Sequence, residues 1–195
     1  MQKIGLFFGS FNPIHNGHLA IANFFAQQSL LDEVWLVITP QNPFKSNGEL
    51  TENHHRLAMV KLAIEGSKLL KACTAEFDLP TPSYTINTLK HLNDRHPKND
   101  FSLILGQDNL VSFDRWKDYR KILDHYKIYV YPRSQSEDIP KSLSDHPNIL
   151  FFEASLLEVS SSSLRKTLWK SHKSINAFVP PIVQDYIRKF NLYKE

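Results

Sequence analysis

The sequence has a single cysteine, Cys73, in 195 residues. One thiol forms no internal disulfide, and the scarcity fits a reduced cytosol; Cys73 itself reads as a small buried apolar residue. No stretch approaches the roughly 18–20 consecutive apolar residues of a membrane helix. The N-terminus shows no signal-peptide pattern, so the expected location is cytoplasmic, without a membrane partner. Also missing are a G-x-x-x-x-G-K-[ST] loop and a G-x-G-x-x-G stretch after the first apolar run, which disfavours P-loop kinases and dinucleotide oxidoreductases. Charge of one sign is not concentrated anywhere: 23 Lys and Arg against 20 Asp and Glu give +3, interleaved along the chain. That balance suits a site for anionic ligands and argues only weakly for nucleic acid. The nearest basic run, Arg165 to Lys173, reads as a solvated helix face.

What remains is 42% hydrophobic and 22% charged, enough apolar mass for a real core. Short apolar runs recur at Lys3–Phe8, Glu33–Thr39, Phe101–Gly106, Lys127–Pro132 and Asn148–Glu153, with a weaker candidate at Lys71–Asp78. Near-continuous apolar runs of this length suit strands buried on both faces of a parallel sheet. Helical patterns alternate with them at Gly17–Leu30, His55–Gly66, Thr85–Pro97, Ser161–Ser171 and Pro180–Asn191. Glycine, proline and hydroxyl residues mark their ends. The expectation is a doubly wound, Rossmann-like α/β fold with a parallel sheet flanked by helices and a small C-terminal helical part. No repeat, low-complexity tract or long linker divides it, so residues 1–195 read as one domain. Asn42–Asn53 and Ser134–Pro147 are polar and turn-rich, and read as flexible segments.

The stretch "GSFNPIHNGH", Gly9–His18, stands where the first strand ends, and ligands of open parallel sheets bind beyond the carboxyl ends of strands. Gly9 permits a tight turn, and Pro13 stiffens the loop. Gly17 allows close contact at the start of a helix whose N–H groups and dipole favour anions. His15 and His18 are three apart, a spacing that brings side chains to one side of a helix. Taken singly, each histidine reads as a cap or a surface residue. Together with the glycines and proline, they read as donors to phosphate oxygens. No neighbouring Cys, Asp or Glu completes a tetrahedral set, so no protein-held metal is expected. Far downstream, Ser160, Ser161 and Ser162 open a helix, with Arg165 one turn in. Hydroxyls, N–H groups and a planar guanidinium again suit phosphate, though a serine run is also a common cap.

These two stretches resemble the G-x-F-x-P-x-H-x-G-H and I-S-S-T-x-I-R elements of the nucleotidyltransferase superfamily, with Ser162 in place of threonine. "TPQNPFK" (Thr39–Lys45), "PSYTINTL" (Pro82–Leu89) and "LILGQDNLVSFDRW" (Leu103–Trp116) are similar to stretches of one branch, the nicotinate-mononucleotide adenylyltransferase family. The resemblance implies adenylyl transfer from ATP to nicotinate mononucleotide, with Mg²⁺ accompanying ATP. It implies catalytic roles for His15, His18, Lys45 and Arg165. ATP would lie against Gly9, Ser10, Phe11, His15, His18, Gly106, Asp108, Ser161, Ser162 and Arg165. The acceptor would lie against Asn12, Lys45, Tyr84, Thr85, Asp108 and Trp116. From the residues alone, Lys45 reads equally as a solvated loop lysine and Trp116 as a core residue. The family often has an aromatic residue after this tryptophan; here it is Lys117. Competing readings are a sister enzyme using nicotinamide mononucleotide, pantetheine phosphate or CTP, and a non-catalytic nucleotide binder. An aminoacyl-tRNA synthetase fragment is disfavoured by the lack of a K-M-S-K-S-like loop. The sequence is also compatible with a homo-oligomer.

Overall fold

The computed structural model describes residues 1–28, 30–41, 50–133, 138–153, 160–170 and 178–193. Among these residues, six parallel strands form one sheet: β1 (Gln2–Gly9), β2 (Glu33–Ile38), β3 (Leu70–Cys73), β4 (Asn99–Gly106), β5 (Lys127–Tyr131) and β6 (Ile149–Phe151). Their order is β3-β2-β1-β4-β5-β6. The chain first winds outward from β1 to β3, then returns to place β4 on the other side of β1. The expected Rossmann-like α/β fold is therefore present, and its strand order switches between β1 and β4. A crevice opens beyond the carboxyl ends of strands at such a point.

Alternation along β1 divides the core. Ile4 and Leu6 face one layer, with Val37, Leu103, Leu105 and Ile128 from neighbouring strands. Phe7 faces the other, with Leu36, Ile38, Ile104 and Tyr129. Among the described residues, eight helices cover the sheet: α1 (Asn16–Gln27), α2 (Asn53–Ala63), α3 (Thr85–Arg95), α4 (Gln107–Val111), α5 (Tyr119–His125), α6 (Lys141–Ser144), α7 (Ser161–Lys170) and α8 (Pro181–Lys189). In α1, Ile21, Ala22, Phe25 and Ala26 are buried, a spacing that puts them on one apolar stripe. Met59 and Val60 of α2 and Val183 and Ile187 of α8 join them in that layer. Leu89 and Leu92 of α3 and Ile122 and Leu123 of α5 fill the opposite one. Each such fully buried leucine or isoleucine contributes about 1.5–3 kcal/mol over leaving it in water.

Several local expectations need revision. The Lys71–Asp78 segment is a four-residue strand followed by a 3-10 turn at Ala75–Asp78. That turn carries the carboxyl of Glu76 into the interior, where it is 1% exposed. Gln107–His125, where the sequence patterns give no helix, contains α4, α5 and a 3-10 turn at Phe113–Arg115. Within the polar Ser134–Pro147 stretch, Leu143 is buried and α6 forms around it. Residues 134–137, and residues 42–49 of the other polar segment, lie outside the described residues.

Candidate functional site

At the switch between β1 and β4, a cavity of about 950 Å³ opens. Its walls come from the β1–α1 turn, the end of β2, the start of α3, the β4–α4 turn, the end of β5 and the start of α7. Sequence-distant segments therefore meet here, and two hydrogen bonds fix the meeting. Arg165 Nη1 donates to the carbonyl of Asn12 at 3.0 Å, and the Ser161 hydroxyl donates to the carbonyl of Pro13 at 3.0 Å. The serine–arginine helix is thereby bolted onto the histidine turn.

The turn itself departs from the expected glycine geometry. Phe11, not Gly9, takes the left-handed conformation, with φ +45. Gly9 is needed because a Cβ there would stand 2.9 Å from the Phe11 ring, closer than packed atoms tolerate. Phe11 is fully buried and edge-on to Phe7 and His18, with ring centroids at 5.9 and 5.0 Å. It backs the cavity without lining it. Asn12, also fully buried, accepts hydrogen bonds at Oδ1 from the Tyr193 hydroxyl at 2.8 Å and from the Thr51 N–H at 3.3 Å. Its side chain shapes the turn from behind.

His15 and His18 are stacked, with ring centroids 3.6 Å apart. Each ring serves the other residue's backbone: His15 Nδ1 accepts from the His18 N–H, and His18 Nδ1 accepts from the His15 N–H. An accepting Nδ1 places the proton of a neutral imidazole on Nε2. Both rings line the cavity, so both present the same kind of donor to it. Burial, aided by the nearby positive charge of Arg133, lowers the pKa of His15 to about 4. His15 is therefore a neutral donor at neutral pH. The helix terminus is less open than expected, because the Asn16 N–H already donates to the carbonyl of Phe178 at 2.7 Å and the His18 N–H is taken by His15.

Of the expected residues, Gly9, Ser10, His15, His18, Tyr84, Thr85, Gly106, Asp108, Trp116, Ser161, Ser162 and Arg165 all line this cavity. Lys45 lies outside the described residues. Ser160 caps α7 by accepting from the Ser163 N–H at 3.1 Å. A Cβ at Gly106 would collide with the Asp108 carboxylate, so this glycine lets Asp108 fold back over the end of β4. Trp116 is half-buried, its ring 5.2 Å from Phe113 and its surface on the cavity. It is thus packed on one side and on the cavity wall on the other. The Lys117 ammonium sits 4.7 Å from the Tyr84 ring centroid, within cation–π range.

Sequence reasoning missed Arg133, Glu76, Thr39 and Ser83, which also line the cavity. Arg133 Nε lies 3.7 Å from Asp108 Oδ1. Its position just after β5 is a signal that the strand-end rule offers. Glu76 accepts from the Thr88 hydroxyl at 2.7 Å, while the hydroxyls of Thr39 and Ser83 bear on the same carboxyl. Glu76 Oε2 and Ser83 Oγ nonetheless complete no hydrogen bond. Burial raises the Glu76 pKa above the usual carboxylate value. No pattern in "TAEFDL" announces that.

The sequence model of the cytidylyltransferase-like family matches residues 6–167. A protein from Christiangramia forsetii named probable nicotinate-nucleotide adenylyltransferase is 48% identical over 193 residues, covering 99% of each chain. One of the same name from Flavobacterium psychrophilum is 47% identical over 194 residues and 100% of each chain. Among solved structures, Plasmodium falciparum nicotinic acid mononucleotide adenylyltransferase complexed with NaAD superposes with a TM-score of 0.82 at 27% identity, covering 99% of this chain and 98% of that one. Likeness over the full length of both chains, at up to 48% identity, means that this chain belongs to the nicotinate-nucleotide adenylyltransferase family.

Proposed function

We infer that this chain transfers the adenylyl group of ATP to nicotinate mononucleotide, yielding deamido-NAD and pyrophosphate, a step of NAD synthesis in the cytoplasm. One observation carries the reading: the His15–His18 turn and the Ser161–Arg165 helix start share a single cavity with Tyr84, Thr85 and Trp116. The first pair of segments suits a polyphosphate; the second set suits a flat, carboxylate-bearing ring.

The acceptor phosphate, already ionised, attacks the α-phosphorus in line, and pyrophosphate leaves. No protein nucleophile is needed, so the work of the chain is alignment and charge neutralisation. Proximity can supply about 7–11 kcal/mol of the barrier. His18 donates to the charge developing at the α-phosphate, while His15, Arg165 and Lys45 hold the remaining phosphate oxygens. Asp108 accepts from ribose hydroxyls, Trp116 offers its ring to the pyridine, and the first N–H groups of α3 read the ring carboxylate. Among the described residues, no group of three His, Cys, Asp or Glu could hold a metal. Mg²⁺ would then arrive on the triphosphate, where Asp108 is the cavity carboxylate that would hold it through water and where the ion would neutralise phosphate charge.

The test is a turnover assay with ATP, Mg²⁺ and, separately, nicotinate mononucleotide, nicotinamide mononucleotide and pantetheine phosphate. Pyrophosphate release with the nicotinate acceptor at the highest kcat/KM is expected; release with pantetheine phosphate alone, or with none, overturns the reading. His18→Ala should lower kcat by about 10²–10³ while changing the KM for ATP little. A raised KM at unchanged kcat would remove His18 from the chemical step.

A further inference from the structure

Arg56 is the largest fully buried side chain among the described residues, at 0% exposure. It leaves α2 through the floor beneath the cavity, and all of its donors are used. Nε donates to the Thr51 carbonyl at 2.9 Å. Nη1 donates to the carbonyls of Ser10 and Thr39, at 2.6 and 2.8 Å. Nη2 donates to the Pro40 carbonyl at 3.4 Å and to Asn53 Oδ1. Ser10 and Thr39 both edge the cavity.

Every one of those acceptors is neutral. Among the described residues no carboxylate forms an ion pair with Arg56, and buried charges are ordinarily paired. Burial lowers its pKa, yet a guanidinium stays protonated at any physiological pH. A full positive charge is thus held just behind the Ser10 and Thr39 edges of the cavity, with no carboxylate paired to it among the described residues. A neutral donor could hold carbonyls at less cost in desolvation. The charge makes sense where an anion arrives on the other side of Ser10 and Thr39.

We propose that Arg56 is a positioning residue whose counter-ion is the bound polyphosphate: its fork fixes the Ser10 and Thr39 edges of the cavity, and its buried charge draws the phosphates against them. This rests on the reading that a polyphosphate occupies the cavity. It makes the occupied protein electrostatically complete and the empty one not.

The discriminating variant keeps Arg56 and supplies a counter-ion. Asn53→Asp places a carboxylate on the Nη2 side of the guanidinium, which should preserve or raise thermal stability. It should also weaken binding of inorganic tripolyphosphate, read as the rise in melting temperature and as Kd by calorimetry, by about tenfold. His54→Asp adds the same charge at the next, exposed position, where solvent screens it, and should weaken binding far less. Arg56→Lys keeps a charge but cannot hold five acceptors, so kcat should fall more than affinity for ATP. The proposal is overturned if Asn53→Asp binds tripolyphosphate like the unaltered protein, or no worse than His54→Asp. It is overturned too if Asn53→Asp fails to fold, since a new ion pair cannot unfold a site that lacks a counter-charge. Because tripolyphosphate needs no acceptor, a chain that binds it as described yet never turns over nicotinate mononucleotide would sink the functional reading and leave this one standing.

Discussion

His15 is buried with a pKa near 4, against about 6.5 for the imidazole in an unfolded chain. Its folded value is depressed, so the stability it contributes is present above pH 6.5 and is lost as pH falls from there toward 4. The full swing is about 3 kcal/mol. Urea unfolding at pH 7 and pH 4.5 should show this loss, and His15→Asn, which keeps a capping side chain but cannot protonate, should lose less. Glu76 works in the opposite sense. Its folded pKa is raised by burial, so the native state is penalised as pH rises past the ordinary carboxylate value. Glu76→Gln should therefore gain melting temperature over the unaltered protein at pH 8, and the gap should close toward pH 4. Of these two residues only His15 was legible in the sequence. Its pairing with His18 across one helical turn is a local spacing, whereas Glu76 acquires its setting from Thr39, Ser83 and Thr88, which only the fold brings to it. Even for the histidines the reading was partial: spacing pointed to phosphate donors, not to two rings that cap each other's backbone and so fix each other's tautomer.

The strands were legible because burial on both faces leaves an almost unbroken apolar run, as in β1, β2 and β4. The longer helices were legible from their stripes and end residues, with bounds differing by at most three residues. Short helices such as α4 and α6 were not, since a helix of four or five residues is not stable by itself and forms only where tertiary contacts hold it. Leu110 and Leu143, both buried, are those contacts. The β1–α1 turn was legible in composition but not in conformation: the sequence drew attention to Gly9, while the positive φ falls on Phe11. Gly9→Ala should push the Phe11 ring out of its seat against His18. A loss of about 1–3 kcal/mol in stability, with a raised KM for ATP, is the expected outcome. An alanine variant with unaltered kinetics would show that the ring can yield without moving the histidine.

Across the whole molecule, the strand order collects at one crevice residues that the chain supplies from near both of its ends. Tyr193 is 8% exposed, and its hydroxyl reaches Asn12 Oδ1. Tyr193→Phe removes one hydrogen bond but leaves Asn12 with the Thr51 N–H, so it should cost about 1 kcal/mol in thermal or denaturant unfolding. The KM for ATP should rise with it, because the turn that Asn12 shapes is the one carrying both histidines.

That long-range strap has a bearing on the order of events at the ribosome. Domains generally begin to fold as they emerge, amino end first, and β1 is the earliest strand made. Its phosphate-facing turn, however, receives the Thr51 N–H early and the Tyr193 hydroxyl only once residue 193 has emerged. The seat for phosphate is therefore finished in two stages, the second only after all six described strands exist.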